Sequence, residues 1–233
     1  MKKISIIIPV FQEAEALHQH LPLLQSLRAL GHEVIVVDGA GDAAGQQQFA
    51  SRVDHWLPSP AGRARQMNAG AALASGDILV FLHIDTRLPP DAATLLLQGF
   101  ASPRVLWGRF DVRLSGERPV FRMIETMMNL RSRVTGVATG DQAIFLRRLL
   151  FRQLGGFPEL PLMEDIAFSK ILRKKAPPLC LRARVVTSSR RWEANGVLRT
   201  ICLMWWLRLL YVLGVSPLRL RDMYLRKALS ANE

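Results

Sequence analysis

Continuous apolar runs alternate with stretches of helical periodicity through the first hundred residues. Residues 4–10 (Ile4-Ser5-Ile6-Ile7-Ile8-Pro9-Val10) are nearly unbroken in β-branched side chains, as a strand covered on both faces requires. Residues 13–30 then set Ala16, Leu17, Leu21, Leu24 and Leu27 near helical spacing, and Gly31 marks the end. The same reading gives strands over 33–38, 53–57 and 77–82, and helices over 63–74 and 91–100. Such alternation predicts an α/β fold whose mixed, mainly parallel sheet carries helices on both faces. In sheets of that kind ligands collect beyond the carboxyl ends of the strands, and Asp38 and Asp85 sit at two of them.

After residue 100 the pattern changes. A partly alternating strand over 104–114 precedes a Met- and Arg-rich helix over 119–134 and a short strand over 143–146. A helix over 164–175, closed by Ala176-Pro177-Pro178, leads into a strand over 179–187 and two basic helical segments. No internal repeat or low-complexity tract interrupts this order.

The 233 residues, 49% of them hydrophobic, suit one domain with a substantial core. The expected division is a domain over 1–195 and a basic, apolar helical extension over 196–233, packed on it or touching membrane. The net charge of +12 points to anionic partners: nucleotides, phosphates, nucleic acid or an anionic membrane surface. Cys180 and Cys202 lack metal-site spacing and read as small hydrophobes in a reducing compartment. The apolar stretch after Met1 is short, is interrupted by Pro9 and lacks a cleavage site, so it reads as a strand rather than a leader. The nearest approach to a membrane span, 197–215, carries Arg199 and Arg208 on opposite sides of a helix. The expected location is the cytoplasm, with peripheral attachment to the inner face of the cell membrane as an option.

Four segments carry candidate chemistry. Asp38 precedes Gly39, Gly41 and Gly45; their spacing is one residue too long for a dinucleotide fingerprint. Either Asp38 accepts hydrogen bonds from a base or ribose, or the segment is an ordinary strand-to-helix turn. Pro60 and Gly62 turn the chain into a helix that begins with Arg63, either a solvated basic helix start or an end suited to phosphate. His83 and Asp85 fall on the same side of a strand end. There Asp85 suits Mg²⁺ or Mn²⁺, and His83 suits Mn²⁺ better. Glu164 and Asp165 open a helix, where the dipole favours their ionised forms and burial or mutual repulsion opposes it.

Taken in order, Ile6 to Glu13, Val37-Asp38-Gly39, Gly62-Arg63 with Asn68-Ala69-Gly70, Phe81 to Asp85, Gly155-Gly156-Phe157 and Glu164-Asp165 resemble a family 2 glycosyltransferase of the GT-A fold. The resemblance covers about the first 190 residues. Gly140-Asp141-Gln142, Leu162 to Asp165 and Ser189-Arg190-Arg191-Trp192 further resemble a bacterial subgroup described as radical-SAM/selenodomain-associated transferases. This implies inverting transfer from a nucleotide-diphosphate sugar to a hydroxyl acceptor, one that is lipid-linked if the extension meets membrane. By the same resemblance Pro9, Glu13 and Asp38 line the nucleoside site, Arg63 approaches base or diphosphate, and Asp85 holds a divalent metal (Mn²⁺ or Mg²⁺) with His83 beside it. Asp165 is the implied base, next to Glu164. Asp141, Gln142, Arg190, Arg191 and Trp192 lie toward the acceptor or diphosphate.

Two departures stand out. His83 replaces the first aspartate of D-x-D, and Ser188 occupies the glutamine position of Q-x-x-R-W, so processive synthesis is not implied. The competing readings are a nucleic-acid or membrane-surface binding module and a sugar nucleotidyltransferase. The first lacks zinc spacing or an RNA-binding aromatic signature, and nucleic acid is not an expected partner. The second lacks a lysine-bearing Gly-rich loop near the N-terminus.

Overall fold

The computed structural model describes residues 2–229, with side chains excluded at 191 and 226–229. Eight strands form one sheet: β1 (Ile4–Val10), β2 (Glu33–Asp38), β3 (His55–Pro58), β4 (Ile78–Phe81), β5 (Thr86–Arg87), β6 (Trp107–Leu114), β7 (Phe145–Arg147) and β8 (Leu179–Thr187). Their order across the sheet is β3-β2-β1-β4-β7-β6-β8-β5. The β3-β2-β1-β4 half is parallel. β7 runs antiparallel to both β4 and β6, β6 and β8 are parallel, and β5 is antiparallel to β8. The mixed, mainly parallel sheet expected from the pattern is present.

Every residue of β1 and β2 is buried, which is why their sequences run apolar instead of alternating. Successive side chains supply two cores. Ile4, Ile6 and Ile8 meet Leu17, Leu21, Leu24 and Leu27 on one face. Ile7, Ile35 and Val37 meet Ala64, Met67 and Ala71 of α4 (Arg63–Leu73) on the other. Gly70 makes that second contact possible, because a Cβ there would stand 2.6 Å from Ile7 Cγ2 and 2.9 Å from Val37 Cγ2.

Local chemistry corrects several boundaries. The helix expected over 13–30 divides into α1 (Ala14–His20), a tighter turn at Leu21–Leu24 and α2 (Gln25–Ala29), because Pro22 contributes no N–H to an α-helical ladder. The Gly-rich segment after β2 contains α3 (Ala43–Phe49), which Asp42 caps by accepting the Gly45 N–H at 2.9 Å. α5 (Ala92–Gly99) and α6 (Pro119–Thr135) follow the expected pattern, whereas α7 (Arg148–Gln153) was hidden behind the short β7. α8 (Glu164–Leu172) is shorter than its pattern suggested.

The chain closes with α9 (Arg190–Asn195), α10 (Val197–Val212) and α11 (Pro217–Leu229). Leu207 of α10 and Leu220 of α11 pack with Met163 and Ile166, which bracket the acidic start of α8. Among the described residues, no helix is long and apolar enough to cross a membrane.

Candidate active site

Three loops near the sheet each hold a non-glycine residue at positive φ. These are Gln12 after β1 (+55°), Ala143 after the turn at Gly140–Gln142 (+47°) and Met163 before α8 (+68°). Side chains avoid this region, so surrounding structure must hold the residues there.

α4 is drawn to the sheet's carboxyl edge by Gln66. Its buried amide donates to the carbonyls of Val10 (2.7 Å) and Val37 (2.8 Å), the ends of β1 and β2. Asn68, two residues on, grips the segment that leads to α8. It donates to Phe157 O at 2.9 Å and accepts the Phe157 N–H at 2.8 Å. Gly156 must lack a side chain here, since a Cβ would sit 2.6 Å from Asn68 Oδ1.

The acidic pair faces a cavity lined by Met67, Phe81, His83, Gly140, Ile144, Phe157, Glu164 and Asp165. Phe81 and Phe157 meet edge-on at 4.8 Å. Asp165 is anchored by backbone amides, Gly140 N–H on Oδ2 at 2.8 Å and Ile166 N–H on Oδ1 at 2.7 Å. Burial pushes the Glu164 carboxyl up, and Asp165 adds to the shift, against the lowering effect of Arg63. Arg63 does not line this cavity but is within electrostatic reach of its acids. Its side chain is open to solvent at the start of α4, and against the lowering effect of desolvation Glu164, Asp141 and Asp165 hold its pKa above the ordinary value.

His83 is committed to the turn at Gly140–Gln142: its Nδ1 lies 3.4 Å from Asp141 Oδ1, and its Nε2 lies 2.4 Å from where a Gly140 Cβ would stand. Asp85 does not line the cavity. It stands toward α1, where its charge is felt by His20, and one oxygen has a long contact of 3.4 Å with the Thr86 hydroxyl. No cluster of three or more His, Cys, Asp or Glu side chains able to cage a metal occurs among the described residues. With His83 turned to Asp141, Asp85 is the carboxylate that remains open to such an ion. One carboxylate fits a hard divalent ion whose other ligands are substrate phosphates and water.

The other expected residues separate into distinct settings. Pro9 is buried, in register with Val37. Glu13 is exposed and accepts the Phe11 N–H at 3.3 Å. Asp38 is buried, and its oxygens take the N–H groups of Ala40 (2.8 Å) and Asp42 (2.5 Å), so it shapes its own turn. Gln142 is fully buried and accepts the Thr139 N–H at 3.3 Å. Arg190 is exposed at the start of α9, and Trp192 packs on Leu114, Phe121, Ile124 and Val197. The Arg191 side chain lies outside the described residues.

Sequence reading passed over Arg131 of α6 and treated Arg208 of α10 only as a feature of the extension. Arg131 Nε and Nη2 are buried without a hydrogen-bond partner among the described residues. Burial and then Arg208 bring its pKa down to about 10, while Asp165 and Asp141 pull the other way. Burial also depresses Arg208, again against Asp165 and Asp141. An arginine flanked by Leu207, Leu209 and Leu210 in a largely apolar helix was the available signal for Arg208.

Comparison with known proteins agrees with this architecture. The mannosyltransferase PcManGT from Pyrobaculum calidifontis, solved with GDP-Man and Mn²⁺, is 17% identical with a TM-score of 0.64, over 99% of this chain and 74% of that one. S. aureus TarS 1–349 is 18% identical with a TM-score of 0.62, over 81% of this chain and 61% of that one. Both show the shared GT-A fold. The undecaprenyl-phosphate 4-deoxy-4-formamido-L-arabinose transferase of Erwinia tasmaniensis is 28% identical over 160 residues, which is 63% of this chain. The chain spans about half the length of that relative, 49%. Residues 5–152 match the sequence profile of Glycosyl transferase family 2, from β1 through β7, and the chain is a member of that family.

Proposed function

We propose that this protein transfers a sugar from a nucleotide-diphosphate sugar to a hydroxyl acceptor, with inversion at the anomeric carbon. The observation that carries the reading is the convergence of Glu164, Asp165 and His83 on one cavity, with Arg63 electrostatically tied to the acids. Arg63 and the α4 N-terminus supply positive charge for the donor diphosphate. Pro9, Glu13 and Asp38 shape the nucleoside side, Asp38 through its turn. Asp85 would hold a divalent ion, which supplies charge neutralisation to the leaving diphosphate.

Asp165 is the general base. The acceptor oxygen forms a bond to the anomeric carbon, the bond from that carbon to the diphosphate oxygen breaks, and the acceptor's proton passes to the Asp165 carboxylate. The Gly140 and Ile166 amides fix its orientation. Glu164, with its raised pKa, limits the negative charge beside it. Within the family we assign the chain to the radical-SAM/selenodomain-associated subgroup that its Gly140-Asp141-Gln142 and Met163-Glu164-Asp165 segments resemble.

The acceptor reading extends to a lipid-borne acceptor, such as an isoprenoid phosphate, met at the inner membrane face. In support, α10 exposes Leu198, Trp205, Leu209 and Val212, and α6 exposes Met123, Met127, Leu130 and Val134, each at helical spacing. The similar Erwinia protein is named for undecaprenyl phosphate.

The test is a thermal-shift panel of UDP and GDP with Mn²⁺. A nucleoside diphosphate should raise the Tm, and Asp85→Ala should remove the metal-dependent part of that rise. A wild-type protein indifferent to every nucleoside diphosphate defeats the reading.

A further inference from the structure

Arg131 and Arg208 have no assigned role, and their position is difficult to explain as fold stabilisation. Among the described residues only Arg131 leaves two buried guanidinium N–H groups unpaired. Such donors destabilise a protein unless something external accepts from them. The second guanidinium, Arg208, lies near enough to oppose the charge of the first. Like charges brought together in a partly buried setting mark a place where an anion completes the arrangement.

The topology says which substrate this serves. α6 is fastened to β6: Asn129 pairs with the Val112 backbone at 2.9 and 3.0 Å, and Glu125 accepts the Leu114 N–H at 2.6 Å. β6 lies two strands beyond β4, in the half of the sheet away from Asp38 and Arg63. At roughly 4.8 Å per strand, Arg131 belongs to a region more than ~10 Å from the β1–β2 edge. Arg208 arrives from α10 directly after Leu207, which packs on Met163 and Ile166. Both arginines feel Asp165 and Asp141. Asp165 and Asp141 are thus within electrostatic reach of Arg63 and of both these arginines.

We propose that Arg131 and Arg208 form an anion subsite that holds a phosphate group of the acceptor, so that the acceptor is a phosphate-bearing alcohol. The assignment rests on the glycosyltransferase reading for the word acceptor, but the subsite is testable without it. Bidentate contact from two guanidiniums fixes the phosphate, and the alcohol it carries is presented to Asp165.

Inorganic phosphate is the probe, titrated calorimetrically with and without saturating UDP or GDP and Mn²⁺. Wild type should bind phosphate equally in both conditions. Arg208→Ala and Arg131→Met should each weaken phosphate about 10- to 100-fold, in line with lost charge-assisted hydrogen bonds, and leave nucleoside-diphosphate affinity unchanged. Arg131→Met should also unfold at a temperature no lower than wild type, since it removes unpaired buried donors. A purely structural arginine would give the reverse, a lower Tm with phosphate affinity intact, and would overturn the proposal. Displacement of phosphate by nucleoside diphosphate, with both affinities lost in the variants, would assign the pair to the donor and also overturn it. Phosphate binding that survives while no nucleoside diphosphate binds would instead remove the glycosyltransferase reading and leave the subsite standing.

Discussion

Glu33 and Glu164 are almost equally buried, at 3% and 7% exposure, yet their carboxyls shift in opposite directions. Burial alone would raise both. At Glu33 the Ser5 and Ser75 hydroxyls and the N–H groups of Ser75 and Gly76 outweigh it and bring the pKa to about 2. Lys3 adds an ion pair at 3.2 Å. Glu164 has burial and the Asp165 charge acting together, with Arg63 opposing. The first carboxylate closes the amino-terminal edge of the sheet, between β1, β2 and the start of β4. The second stands at the carboxyl-terminal edge beside a cavity. Hydrogen-bond donors are supplied in full to the carboxylate that only has to hold the sheet edge, and are scarcer at Glu164, the neighbour of the proposed base.

The comparison is tested hardest at the acidic pair. Asp165→Asn should cut transfer by about 10²- to 10⁴-fold, the range of a lost general base, while the Tm rise with UDP or GDP persists. Near wild-type turnover in that variant would show that no base operates there. At the opposite edge, Glu33→Gln should cost up to about 3 kcal/mol in urea denaturation at neutral pH and leave nucleoside-diphosphate binding intact. Its folded pKa lies below the ordinary 4.5, so the stability it contributes is complete above 4.5. That contribution is lost as pH falls toward about 2. The variant should therefore show a flatter acid limb than wild type. The smallest effect belongs to Glu164→Gln. A raised folded pKa makes the charged form costly at neutral pH and relieves that cost as pH falls, so the variant should be no less stable than wild type in urea at neutral pH. A marked loss of stability would mean Glu164 is held as Glu33 is.

Much of the scaffold was legible because strands covered on both faces leave uninterrupted apolar runs, as at Ile4 to Val10 and Glu33 to Asp38. The missed helix at Ala43–Phe49 was masked by glycines, and only the Asp42 cap signalled it. Glu164-Asp165 was visible as adjacent acids in a helix's first turn. The pairing of His83 with Asp141, by contrast, joins residues 58 positions apart that no periodicity connects. Arg131 and Arg208 were obscured for the same reason, since their meeting depends on how α10 returns over α8. The neighbours of Trp192, Leu114, Phe121 and Val197, were likewise not given by the motif around it.

The two-way grip of Asn68 on Phe157 joins the helix that begins at Arg63 to the stretch that delivers the acids. A nucleotide that quietens the first should quieten the second through this grip. Deuterium uptake at the Phe157 amide would thus act as a remote gauge of donor occupancy, slowing as the site fills.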